Sequence, residues 1–250
     1  MKRKFPPLAA ALVAALLGGS AFAQSEGAAA KEAEDPAMAK VNALLEEYRV
    51  AFREWRDSAK SEEDPNPETN PARIFAPKFE ALAGTLTGKP ALAAWGHSIG
   101  SFVMIEDETA TETAFGKALA ACGNEDEFVP LLYYVSQTRK APALFERAFA
   151  TSTNVQVKAA SKFIPAEILW DNGEAKGEDL KKARAGLEEV ARQWPDTRFG
   201  KTAKGSLYEA DHLQLGMKAP DIPIVTPDGK ESRLADYRGK NLLLYFWATW

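Results

Sequence analysis

The chain has 250 residues, 46% of them hydrophobic, 26% charged and 10% aromatic, with one cysteine and a formal net charge of -4. That composition supports a buried core and excludes a wholly disordered chain or a disulfide scaffold. At about 100–200 residues per domain, the length fits one large domain or two smaller ones.

Lys2, Arg3 and Lys4 precede an apolar stretch from Leu8 to Leu17, and Ala21-Phe22-Ala23 supplies a small-x-small ending. The pattern predicts a secretory signal peptide over residues 1–23, cut before Gln24. Its apolar part is about half the roughly 20 residues that a bilayer-spanning helix needs. No cysteine stands at the cleavage region, so no lipid anchor is expected. The mature protein is expected to be exported to a bacterial periplasm or cell envelope, without a membrane anchor. Removing residues 1–23 takes away three of the 31 basic residues and none of the 35 acidic ones, which leaves -7. With no basic stripe to gather phosphates, nucleic acid is not expected as a partner. An oxidising compartment favours paired cysteines, yet Cys122 has no second cysteine to pair with.

Residues 24–37 are rich in Ala, Glu, Lys and Gly and read as a flexible leader. Val41, Leu44, Leu45, Tyr48, Phe52 and Trp55 then recur at helical spacing, which predicts one buried helix face ending near Ser58. The acids, prolines and asparagines of residues 62–71 predict a surface loop. From about Pro77 to His212 the pattern is mainly helical, broken at Gly123-Asn124, Lys140-Ala-Pro142 and Asp171-Asn-Gly173. The clearest helix runs from Glu178 to Trp194. Leu180, Ala183, Leu187, Val190, Ala191 and Trp194 form its stripe, and Lys181, Lys182, Arg184, Glu188 and Arg192 mark its solvent side. A second helix from Phe199 to His212 would complete a helical hairpin. No fixed period runs through the region, so the sequence leaves a repeat solenoid open. Residues 38–213 are expected to form this helical domain.

From Leu215 the pattern changes. Gly216, Pro220, Pro223, Pro227 and Gly229 fall within 14 residues, Ile222 and Ile224 share one side of a short strand, and Asp228-Gly229 signals a tight turn with Leu234 on the return segment. Residues 214–250 are expected to open an α/β domain with a hairpin. Asn241 to Trp250, nearly all apolar, reads as a fully buried central strand. Such a strand needs neighbours on both edges and helices on both faces. We therefore expect the sequence to be the front part of a longer polypeptide.

The blocks Leu215-Gly-Met-Lys-Ala-Pro-Asp221, Asp228-Gly-Lys230, Leu234-Ala-Asp-Tyr-Arg-Gly-Lys240 and Leu242-Leu-Leu-Tyr-Phe-Trp-Ala-Thr-Trp250 resemble, in order and spacing, the start of the redoxin group of thioredoxin-like proteins. The resemblance is to the TlpA-type thiol-disulfide reductases of bacterial envelopes and covers about 36 residues. It implies a thioredoxin-like α/β fold, an exported thiol-disulfide oxidoreductase activity with an antioxidant role, and protein thiols and disulfides as substrates. In that family Phe-Trp-Ala-Thr-Trp is followed at once by Cys-x-x-Cys, so no catalytic residue lies within these 250 positions. Trp250 would directly precede the nucleophile as part of its platform, and Trp247 would pack beside it. A helix N-terminus after the strand would lower the pKa of the first cysteine, and the second would resolve the mixed disulfide. The helical region resembles the variable extension that some envelope redoxins carry, with a protein partner as one role for it. Peroxiredoxins of the alkyl hydroperoxide reductase type share the Ala-Pro-Asp opening, but they place a Pro-containing Phe-x-x-Phe loop before a single cysteine, where this sequence has Trp-Ala-Thr-Trp.

Other chemistry-bearing residues read as structural. Cys122, in Leu119-Ala-Ala-Cys-Gly123, reads as a small buried thiol. His97 and His212, 115 positions apart, read as surface or helix-end side chains without a zinc signature. Asp211-His212 has no nucleophile elbow to serve. The acidic run Glu106 to Glu112 lacks a calcium-loop pattern and reads as a solvated face. No metal or cofactor is expected. Besides the reductase, the sequence leaves open a peroxidase, and a helical repeat scaffold carrying a degenerate redoxin part.

Overall fold

The computed structural model describes residues 35–58, 65–225, 228–243 and 245. The expected signal peptide, residues 24–34 of the leader, Trp247 and Trp250 all lie outside the described residues. What is described is mainly α-helical, as the sequence predicts.

Helix α1 spans Pro36–Asp57 and begins inside the stretch that composition assigns to the leader. The reason is local: the Asp35 side chain accepts a hydrogen bond from Ala37 N at 2.8 Å, and Pro36 occupies the first turn with its φ already set. Val41, Leu45, Tyr48 and Phe52 are buried on one face, and Ser58 closes the helix. After it comes a single 3-10 turn, Pro67–Thr69, where Asn66 caps Glu68 N and the Asn66 carbonyl accepts from Trp55 Nε1 at 2.9 Å.

Eight further helices follow: α2 (Ala72–Ala83), α3 (Gly88–Met104), α4 (Glu108–Cys122), α5 (Val129–Val135), α6 (Ala141–Thr151), α7 (Val155–Trp170), α8 (Glu178–Gln193) and α9 (Arg198–His212). The mainly helical region, expected from about Pro77, begins earlier, and Pro77 lies inside α2. The earlier start follows from Asn70, whose buried side chain accepts from Ala72 N at 2.9 Å. Of the breakers read from sequence, Gly123-Asn124 follows α4 and Asp171-Asn-Gly173 follows α7, while Lys140-Ala-Pro142 opens α6, with Lys140 as its cap and Pro142 in its first turn.

Sequential neighbours α2 with α3, α3 with α4, α6 with α7, α7 with α8 and α8 with α9 pack on one another, while α3, α5, α7 and α9 pack side by side in that order. The main core runs along this stack, from Trp95 and Ile99 through Phe115, Phe128 and Leu132 to Phe163, Leu187 and Phe199. A second apolar cluster of Leu45, Tyr48, Phe52, Ala72, Phe75 and Phe79 holds α1 against α2. On α8, Ala183, Leu187 and Val190 are buried as predicted, whereas Leu180 is exposed. A joint around Asn124 ties two connections between helices: its Oδ1 accepts from Thr153 N at 2.7 Å, and Ser152 Oγ donates to Gly123 O at 2.6 Å.

Beyond Leu213 the architecture is different. Strands β1 (Pro223–Val225) and β2 (Glu231–Arg233) form an antiparallel pair with register Pro223↔Arg233, Ile224↔Ser232 and Val225↔Glu231. Gly229 takes φ +81° in the connecting turn, a backbone state that favours glycine. A 3-10 turn, Leu234–Tyr237, follows.

The central strand expected over Asn241 to Trp250 is not seen in its described part. Asn241, Leu242, Leu243 and Tyr245 are exposed and unassigned to any strand, Leu243 at 88% exposure. An apolar run is buried only by what covers it, and among the described residues the sheet has two strands.

Candidate functional site

The segment singled out by motif is organised by Asp221. Its Oδ1 accepts from Ala235 N at 3.0 Å and its Oδ2 from Arg233 Nη1 at 3.0 Å, so one carboxylate ties the entry of the hairpin to its exit. The Ala235 amide, then the Arg233 guanidinium, hold the Asp221 carboxyl below its usual pKa. Leu234 N donates to Ile222 O at 3.1 Å, which extends the closure past β1. Ile222 therefore lies just outside the strand it was expected to share with Ile224. Asp236 adds a second lock by accepting from Arg233 N at 2.8 Å. Within the motif Leu215 to Asp221, the sequence alone assigns Asp221 no role. The signal available was an aspartate spaced 12 and 14 residues ahead of its two partners.

None of these groups is a redox centre, and Cys122 is not one either. It is the last residue of α4, is 4% exposed and sits in the main core. Burial pushes its thiol pKa up, and the charge of Glu125 pushes the same way. An exchange-active cysteine needs the opposite, a stabilised and accessible thiolate.

His97 differs from its expected surface or helix-end position. It lies within α3, its ring 5.0 Å from that of Phe79, and its Nδ1 is covered from solvent with no partner among the described residues. Burial first, and Arg49 second, push its pKa down to about 4. A one-dimensional pattern could not show this, because α1 and α2 supply the cover. His212 does sit at a helix end, stacked on Tyr208 with 4.6 Å between ring centroids. The acidic run is more structural than a solvated face: Asp107 caps Ala110 N at 2.9 Å, Glu108 accepts from Arg139 N at 3.1 Å, and Glu112 pairs with Lys140. Among the described residues, no group of three or more His, Cys, Asp or Glu could hold a metal ion, and no helix is long and apolar enough to cross a membrane.

Comparison with known proteins gives short local similarities to thioredoxin-like proteins and thiol-disulfide oxidoreductases. The chain is 45% identical over 42 residues to the thiol-disulfide oxidoreductase ResA of Geobacillus thermodenitrificans, a match covering 17% of this chain and 24% of the relative. It is 50% identical over 38 residues to the thioredoxin-like protein YneN of Bacillus subtilis, covering 15% and 22%. A ResA of Bacillus anthracis matches at 34% over 47 residues, 19% of this chain and 27% of the relative. The chain thus spans about a quarter of the length of these curated relatives. No family model and no solved structure matches.

Proposed function

We propose that the chain is the front part of an exported thiol-disulfide oxidoreductase of the TlpA type, in which a helical module of residues 38–213 precedes a thioredoxin-like domain opening near residue 214. The observation that carries this reading is the pair of matches, at 45% and 50% identity, to proteins named as a thiol-disulfide oxidoreductase and a thioredoxin-like protein. Their lengths, 42 and 38 residues, are close to that of the segment from residue 214 onward. Cys122, buried and with its pKa raised, is unsuited to the chemistry, so the redox pair is assigned to a Cys-x-x-Cys directly after Trp250.

In this reading the first cysteine attacks a sulfur of a protein disulfide as thiolate, forming a mixed disulfide and releasing one substrate thiolate. The second cysteine then attacks the enzyme sulfur and releases the other, so two electrons pass from the enzyme dithiol to the substrate. Trp250 flanks the nucleophile and Trp247 packs beside it. The signal peptide 1–23 delivers the protein to the periplasm or envelope, and its substrates are protein thiols and disulfides.

The stack of helices favours a second component of the reading: the helical module docks a protein partner or positions the redoxin domain. The coding sequence after Trp250 tests the assignment. Cys-x-x-Cys supports the reductase, a single cysteine after a Pro-containing loop redirects it to a peroxidase, and no cysteine at all overturns both in favour of a helical scaffold.

A further inference from the structure

The seam between α1 and α3 carries polar side chains beside the apolar clusters. His97, Ser101 and Met104 recur on α3 at helical spacing, and α1 meets that stripe with Tyr48 and Arg49. Tyr48 Oη donates to Met104 Sδ at 3.8 Å and lies close to Ser101 Oγ. Arg49 Nε and His97 Nδ1 are both covered from solvent and without a partner among the described residues.

The charges around the ring come mainly from one side. On α1, Arg49 bears directly on His97, and its own counter-ion, Glu46, sits at 3.5 Å from Nη1 on the exposed surface. Helix α2 offers the apolar face of Phe79. Its neighbours are engaged elsewhere: Glu80 with Lys117 of α4 at 2.7 Å, Lys78 over the Phe75 ring, and Arg73 with Glu68. From α5 the nearby group is the ring of Tyr134, which packs against Gly96. Among the described residues a protonated His97 therefore faces a guanidinium and finds no carboxylate.

We propose that α1 is held to the helical stack by an acid-labile latch, in which protonation of His97 sets a second positive charge beside Arg49 and releases α1 while α6 to α9 stay folded. Two features confine the release to α1. Leu45, Tyr48 and Phe52 of α1 lie in the second apolar cluster, shared with α2, and Val41 is its buried contribution to the main core. The stack from α6 to α9 is built on other residues, among them Ala148, Phe163, Leu187 and Phe199. A group whose folded pKa is depressed from 6.5 to about 4 as a base stabilises the docked state fully above pH 6.5 and progressively less as the pH falls toward 4.

Hydrogen exchange of the full chain, followed by mass spectrometry at pH 7.5 and pH 5 and corrected for intrinsic rates, tests the latch. The opening equilibrium of α1 peptides should rise about 30-fold at pH 5 while those of α7 to α9 hold, a ratio set by the two pKa values. His97→Gln should abolish the pH dependence and Arg49→Met should reduce it. An NMR titration of His97 in the unmodified protein, needing no variant, should give a depressed pKa. Unchanged α1 protection, loss of protection in all helices together, the same loss in His97→Gln, or an ordinary His97 pKa would each overturn the proposal.

Discussion

Arg184 of α8 grips Asp211 of α9 with two parallel hydrogen bonds, Nη1 to Oδ1 at 3.0 Å and Nη2 to Oδ2 at 2.8 Å, while its Nε donates to Glu188 at 2.9 Å. The fork stands at the end of the last helical hairpin, just before the chain turns into the β-hairpin. The bidentate geometry lowers the pKa of Asp211 and raises that of Arg184. Both groups are exposed, so the pair is open to screening. Asp211→Asn should lower the melting temperature slightly in dilute buffer, and the difference from wild type should vanish in 1 M salt, where charges are screened over about 3 Å. A salt-independent loss would assign the effect to packing.

Gly200 in the first turn of α9 leaves no room for a side chain: a Cβ there would lie 1.9 Å from Trp194 O. Alanine is better than glycine in a helix by about 1 kcal/mol, but this contact is with backbone and cannot move aside. Gly200→Ala should therefore destabilise the chain by about 2 kcal/mol or more, read from the urea midpoint.

Cys122 should behave as a core residue. In the native protein it should resist a thiol reagent at pH 8 and react promptly after unfolding, because burial and Glu125 both disfavour the thiolate. Cys122→Ser places a hydroxyl in an apolar site and should cost roughly 1–3 kcal/mol in unfolding free energy.

Asp221 supplies a pH dependence of its own. Its folded pKa is depressed by the Ala235 amide and Arg233, so its contribution to hairpin closure is present above the unfolded value of 3.8 and is lost as the pH falls through the folded one. The Ala235 amide should be protected in NMR exchange experiments at pH 6 and lose that protection on acidification. Asp221→Asn, which retains an acceptor but no charge, should show weaker protection at pH 6 and no acid transition of this origin.

Much of the helical part was legible because helical spacing is local information. The stripe from Val41 to Phe52 and that of Ala183, Leu187 and Val190 both name the faces that are buried. The start of α1 was also written locally, in Asp35-Pro36, but composition averaged over residues 24–37 hid it. His97 was misplaced for another reason: whether a polar residue in a helix meets water depends on which helices cover it, and α1 lies some 40 positions upstream. The run from Leu242 onward shows the same limit, since apolarity states a preference for burial and not the partner that provides it. The Asp221 clamp depends on tertiary closure of a turn and leaves only a spacing in the sequence.

The proposed activity is disulfide reduction by a cysteine pair following Trp250. Turnover of insulin disulfides by the product of the coding sequence read on past Trp250, compared with the same product bearing serine at either of those cysteines and with the 250-residue chain, tests it directly. Reduction by the extended product alone is the expected result. Insulin reduction by the 250-residue chain that survives Cys122→Ser, or undiminished reduction by the serine variants, would contradict it.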